Sequence, residues 1–421
     1  MKKEKQFELH KKINGPKWFL RPIEIVGAWI FAGPFGTKTK IKKINCDGLK
    51  PPYIILSNHA SFVDFANVIK SGYTQKYCWV ASIEEFNGRE WLMRSVGCIP
   101  KRKFTKDTVL IKNCYRALHN LKCNVVIYPE ARFALAGINE DIGKALGKFA
   151  KLCKVPVVVM NQKGTFLRSP QWCKHPYRKI QCEVDYIQIV SKEEVLSLSA
   201  EEIQERIEDA FIWDDYKWQF DNKIKITDND RATNLYKILY KCPCCGKEQK
   251  MTSYDHFVEC TECGAKWDMD EYSRLHLLNE DKTWDSTLAH IPNWYLWQRD
   301  IVDQEVYDGK YVFEDKVRIE KLVNSKKGFV RIGEITMRQD DEGIHLFGKL
   351  DDGSDFDLFK PANTTASLHI EYNYKKRGDA IDIATMEETY FVYPLNNPNV
   401  LTKLHFATEA LYKKATENIE E

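Results

Sequence analysis

The sequence predicts an α/β domain, a mixed sheet flanked by helices, followed by a small cysteine-rich module and a β-rich domain that ends in one helix. Three observations carry that expectation. Between Tyr53 and about Val195, short runs rich in Val, Ile and Tyr alternate with helical stretches, as βα units do. Five of the thirteen cysteines crowd between Cys242 and Cys263. From about Tyr307 onward, β-like runs follow one another between turn signals, up to a last amphipathic stretch from about Asn399 to Thr416. At 421 residues the chain exceeds one ordinary hydrophobic core, and its boundaries are placed at 1–225, 238–272 and 290–421.

Composition narrows the function classes. With 43% hydrophobic and 29% charged residues the chain is a globular one, not a disordered one. Its 63 basic residues face 60 acidic ones, a balance that argues against a protein built around nucleic acid, so no nucleic acid is expected as partner. The eight cysteines from Cys46 to Cys182 lie in hydrophobic contexts and read as reduced core thiols of an intracellular protein.

The chain starts MKKEKQFELHKK, and an apolar stretch follows from Trp18 to Phe35. Arg21, Pro22, Glu24 and Pro34 interrupt it, and what survives between Ile25 and Phe35 is too short for a hydrocarbon layer of about 30 Å. Trp18, Phe19, Trp29 and Phe31 behind the lysines fit a segment lying in a lipid interface; an amphipathic helix covering the core fits as well. YIILS, YCWVA, NVVIYPE, PVVVMNQ and CEVDYIQIV then read as buried strands, with helices over TKDTVLIKNCYRALHNL and IGKALGKFAKLC. A helical stretch from Ser199 to about Phe220, opened by a capping box of Ser199 and Glu202, closes this domain before the polar stretch DNKIKITDND.

YIILSNHASFVDF places Asn58 and His59 in the turn after a strand and before a helix beginning at about Ser61, at the carboxyl end where open α/β sheets hold ligands. From that turn His59 can be met by Asp64 folding back. In such a dyad one ring nitrogen takes the proton of a hydroxyl while the carboxylate fixes the tautomer and stabilises the imidazolium. The pKa of free imidazole, about 6.5, suits the task near neutrality. Ser61-x-x-Asp64 also reads as a capping box in which Asp64 only secures the helix start.

Asn58, His59 and Asp64 match the Asn-His-x-x-x-x-Asp motif, Gly97 to Lys103 a glycine followed by an apolar pair and basic residues, Tyr128 to Phe133 a Phe-Pro-Glu-Gly type of loop, and Val155-Pro156-Val157 an apolar-Pro-apolar strand start. In that order these residues resemble the glycerophospholipid acyltransferase family, typified by 1-acylglycerol-3-phosphate acyltransferases. Lys103 stands where the family usually has Arg, Ala131 replaces a glycine, and Arg132 comes one residue early. The resemblance implies that His59 and Asp64 are catalytic and that Asn58, Lys101, Arg102, Lys103, Glu130 and Arg132 bind substrate. The cations would grip an acceptor phosphate, and Glu130 would hydrogen-bond a glycerol hydroxyl or orient a basic neighbour. Taken only as charges, Lys101 to Lys103 also read as a solvated loop. The resemblance further implies a thioester donor, acyl-CoA or acyl carrier protein, attacked directly by the hydroxyl of a lysophospholipid, with no acyl-enzyme and no catalytic metal. With the aromatic start, it places the protein in the cytoplasm, peripheral on the inner face of a membrane.

Cys242-Pro-Cys244-Cys245-Gly and Cys260-Thr-Glu-Cys263-Gly are two Cys-x-x-Cys knuckles separated by fourteen residues. That spacing points to a structural zinc ribbon ligated by Cys242, Cys245, Cys260 and Cys263, leaving Cys244 spare; a redox Cys-x-x-Cys pair would need only one knuckle. Asp308, Glu342 and Asp352, each followed by glycine, mark hairpin turns in the last domain, for which a pleckstrin-homology-like arrangement is one candidate. Two functions follow as expectations: an acyltransferase on a membrane surface, or a non-catalytic lipid-binding adaptor whose ribbon and β domain recognise a protein or nucleic acid.

Overall fold

The computed structural model describes residues 11–105, 107–173 and 178–420; the lysine-rich start up to His10 lies outside them. Helix α1 (Arg21–Ala32) leads into strands β1 (Lys40–Ile44), β2 (Ile54–Ser57), β3 (Tyr77–Ser82), β4 (Cys98–Lys101), β5 (Asn124–Ile127), β6 (Val157–Lys163) and β7 (Glu183–Val190). Between and after them run α2 (Val63–Ser71), α3 (Glu90–Ser95), α4 (Thr108–His119), α5 (Leu146–Cys153), α6 (Thr165–Arg168), α7 (Glu194–Ser197), α8 (Ala200–Ala210) and α9 (Asp215–Asp221). The strands form one mixed sheet of order β1-β7-β6-β2-β5-β3-β4, in which only the β6–β7 pair is antiparallel. Its middle is made of the apolar runs that the sequence marks out: Ile54, Ile55, Leu56, Val125, Val126 and Val157 are all buried.

The two strands that the pattern does not announce are the sheet's edges. β1 reads KIKKI, its lysines on an exposed border, and β4 carries Pro100, which a border strand accepts because no neighbour needs the missing N–H. The capping box of Ser199 and Glu202 forms as expected, but its helix stops at Ala210. Asp214 then caps a separate helix, accepting the Lys217 amide, where the sequence suggests one helix to about Phe220.

The second module is a four-stranded sheet, β8 (Met251–Tyr254), β9 (Phe257–Cys260), β10 (Lys266–Met269) and β11 (Leu275–Leu277), carrying the cysteine cluster. The third begins with α10 (Ile291–Tyr307), a helix not anticipated, which the Asp308-Gly309 pair terminates instead of turning a hairpin. Then come β12 (Phe313–Asn324), β13 (Gly328–Asp340), β14 (Gly343–Lys349), β15 (Asp355–Pro361), β16 (His369–Glu371), β17 (Ala380–Ala384) and β18 (Thr389–Pro394), and last α11 (Leu401–Glu420). These strands form one antiparallel sheet of order β15-β14-β13-β12-β18-β17-β16.

An α/β domain, a small cysteine-bearing sheet and a β-rich end with a terminal helix are thus what the chain forms. The modules are not beads on a string. One apolar core runs from Ala134, Phe166 and Trp213 through Trp267 to Ile319 and Leu404. Among the described residues no helix is long and apolar enough to cross a membrane.

Candidate functional site

His59 lies just past the end of β2, and the Tyr128–Phe133 loop just past β5; because these strands are parallel neighbours, both emerge on the same edge of the sheet. The turn is fixed by Asn58. Its side-chain amide donates to the Gln162 carbonyl at 2.9 Å and accepts the Gln162 amide at 2.8 Å, extending the β2–β6 ladder by one side-chain rung. Gln162 also donates to Ser57 Oγ and accepts from Asn67, so this strand residue, which its place in an apolar run hides, ties the turn to α2. Asn58 is fully buried and its hydrogen bonds go to the protein.

His59 Nδ1 sits 2.9 Å from Asp64 Oδ2. The same oxygen accepts the amides of Ala60 at 2.7 Å and Ser61 at 2.9 Å. Asp64 thus organises the turn before α2 and meets the ring, but the capping box with Ser61 is not completed, because Ser61 Oγ makes no hydrogen bond and α2 has no side-chain cap. An ionised carboxylate that accepts two amides can only accept from the histidine as well, so Nδ1 carries the proton and Nε2 is left as the basic nitrogen. The ring is 12% exposed. It lies between Tyr128 and Phe133, with centroids 3.9 and 4.1 Å away, and Phe65 meets it edge-on at 5.6 Å. These aromatic walls are a part of the site that motif matching did not supply.

Glu130 is buried and faces the backbone, one oxygen accepting the His59 amide at 3.3 Å and the other the Glu140 amide at 3.2 Å. Burial raises its pKa to about 8. Ala131 adopts a left-handed conformation, φ 56°, which explains why a glycine suits this position.

Each of the four cations expected at a phosphate has a partner within the protein. Lys101 donates to the carbonyl and, at 3.3 Å, the hydroxyl of Thr105. Arg102 is buried against the C-terminal sheet, donating to Thr389 Oγ1 at 2.8 Å and the Glu387 carbonyl at 2.5 Å. Lys103 lies 3.6 Å from both Glu84 and Asp382, and Arg132 is 2.9 Å from Glu409 and 3.2 Å from Glu140. The third module, contiguous with this edge of the sheet, thus supplies a partner to each of three of them. That could not be seen in a motif of local spacing.

Beside the dyad, α1 turns Ile23, Val26, Trp29 and Ile30 to solvent, next to exposed Phe35 and Phe62. Aromatic contacts continue from there to the site: Phe31 to Phe62 at 5.9 Å, Phe62 to Phe65 at 5.8 Å, and Phe65 to His59.

In the second module, the ligand atoms of Cys242, Cys245, Cys260 and Cys263 lie within 4.8 Å of one another. Two of the sulfur pairs, Cys242–Cys263 and Cys245–Cys260, are 3.8 Å apart. That is far beyond a disulfide bond and equals the edge of a tetrahedron with metal–sulfur bonds of about 2.3 Å. Gly246 and Gly264 share φ 71°, and each donates its amide back to the first cysteine of its knuckle, closing two matching turns. Four converging thiols fit a structural metal site.

Residues 36–161 match the family described as Acyltransferase. No curated protein matches the chain. Among solved structures the chain is similar to the crystal structure of the 1-acyl-sn-glycerophosphate (LPA) acyltransferase, PlsC, from Thermotoga maritima, at 15% identity and a TM-score of 0.37, over 49% of this chain and 81% of that one.

Proposed function

We propose, starting from the acyltransferase-family domain at residues 36–161, that this protein moves a fatty acyl group from a thioester, acyl-CoA or acyl carrier protein, to the hydroxyl of a lysophospholipid such as 1-acylglycerol-3-phosphate. The observation that carries the reading is the His59–Asp64 contact of 2.9 Å, with the carboxylate buried and the ring's other nitrogen left as base. In this mechanism His59 Nε2 takes the acceptor's proton as its oxygen attacks the thioester carbon. The carbon–sulfur bond then breaks, the ester bond remains, and the proton passes from Nε2 to the leaving thiolate. Asp64 stabilises the imidazolium while it exists.

Lys101 is the phosphate contact favoured by this reading, because its partners are neutral oxygens of Thr105 that an anion displaces readily. For Arg102, Lys103 and Arg132 a phosphate must compete with established protein partners. The exposed apolar face of α1, joined to His59 by a row of rings, supports docking on a membrane surface from which acceptor and acyl chain enter. A tetrahedral zinc fits the four thiolates as a structural ion outside the reaction.

The test is a labelled acyl-thioester assay over a panel of lysophospholipids presented in vesicles. Transfer to at least one of them is expected. Transfer to none would leave the non-catalytic adaptor as the function.

A further inference from the structure

The loop after β5 holds His59 from several directions. Glu130 accepts its amide, the Ala134 amide donates to its carbonyl at 2.8 Å, and Tyr128 and Phe133 flank its ring. The loop contains a left-handed alanine between Glu130 and Arg132, a conformation that costs about 1–2 kcal/mol and persists only where the surroundings enforce it. Glu130 and Arg132, on either side of this alanine, are held by the α/β domain and by the third module. Arg132 is 2% exposed, and its Nη2 is 2.9 Å from Glu409 Oε1 and 3.2 Å from both Glu140 Oε2 and His405 Nε2. Arg299 of α10 closes the network, its Nη2 2.5 Å from Glu140 Oε2 and 3.3 Å from Glu409 Oε2. Ser367 donates at 2.7 Å to Glu409 Oε1, the oxygen that Arg132 also meets.

Two guanidinium groups and two carboxylates balance one another here. Glu140, His405 and Glu409 have ligand atoms close enough for a metal ion, but the arginines already supply the positive charge. The outcome is a continuous mechanical path: Glu409 and Arg299 to Arg132, Arg132 to the loop, the loop to the ring of His59.

We propose that Glu409 and Arg299 are positioning residues for His59, acting through Arg132, which makes α10 and α11 part of the active site. The kinetic side of this inference rests on the acyl-transfer reading; its structural side does not. A base displaced by about 1 Å loses up to about 100-fold in rate.

The experiment uses the full chain with Glu409→Gln, Arg132→Gln and the double variant. Glu409→Gln lowers kcat by about 10-fold or more, with KM for thioester and acceptor within about twofold, and Glu409→Asp recovers part of the loss. In the Arg132→Gln background, Glu409→Gln adds nothing further, since both act on one path. The second readout is NMR of the His59 ring protons, which the two flanking rings shift upfield in the wild type. Glu409→Gln reduces that shift while the thermal midpoint stays within a few degrees. Should Glu409→Gln fail to fold, Arg299→Lys is read in the same two ways. An unchanged His59 spectrum, additive losses in the double variant, or a raised acceptor KM at constant kcat overturns the proposal. If the wild type transfers no acyl group, the spectrum still decides the positioning claim while the function reading fails separately.

Discussion

Replacing Asp64 by Asn separates the two jobs of this side chain. Asparagine keeps the shape, and its carbonyl can still accept the amides of Ala60 and Ser61 and the Nδ1 proton of His59, so the turn before α2 survives. What disappears is the negative charge 2.9 Å from the ring. With the imidazolium charge spread over the ring at about 4 Å and an effective dielectric near 20, the lost attraction is about 4 kcal/mol. That energy acts only once His59 has taken the proton, so it enters the barrier and not ground-state binding. At about 1.4 kcal/mol per decade, kcat falls about 10³-fold with little change in KM. The assay is steady-state transfer of a labelled acyl group, with urea unfolding run in parallel. A variant with kcat within about threefold of wild type, or one whose loss of activity is matched by unfolding, would refute catalysis by the dyad and leave Asp64 as a turn organiser.

Further outcomes concern the rest of the molecule. Purified protein should hold about one zinc per chain, and a chelator should unfold the ribbon; a folded metal-free protein contradicts the site. Glycine at Ala131 relieves the left-handed strain at a smaller entropic cost, so Ala131→Gly should stabilise by about 0.5–1 kcal/mol in urea unfolding; a destabilised variant speaks against the strain. Burial raises Glu130 to about 8, and burial followed by the charge of Asp382 raises Glu84 to about 8. Their folded-state pKa values lie above the unfolded ones, so the stability they give is complete at acid pH and is lost as pH rises toward 8. The buried His369 and His405, whose values are lowered, oppose this only below about pH 6.5. Unfolding free energies from urea titrations should therefore fall between pH 6.5 and 8, by up to about 1.4 kcal/mol per pH unit for each carboxyl, and a rise over that range contradicts the burial of these acids.

How much of this could be read from the sequence follows from the range of the interactions. His59 and Asp64 are five residues apart, so a turn between strand and helix suffices to join them. The middle strands announce themselves because both faces are buried, whereas β1 and β4 escape because edges tolerate lysine and proline. Helix α10 was hidden by Gln298, a polar residue in its buried stripe that hydrogen-bonds the Lys241 amide and the Ile238 carbonyl. Arg102, Lys103 and Arg132 each have a partner in another module, in Thr389, Asp382 and Glu409, and no local pattern encodes such a pairing. The same limit applies to the rings of Tyr128 and Phe133, whose side chains stack on His59 only after β2 and β5 have paired.

The central claim is that His59 is the base for acyl transfer to a lipid hydroxyl. Its most direct measurement is the initial rate of transfer from labelled acyl-thioester to the best lysophospholipid acceptor, for wild type and His59→Ala at equal concentration and matched thermal stability. The account predicts transfer by the wild type and a loss of at least about 10³-fold in the variant. Equal rates for the two proteins would contradict it.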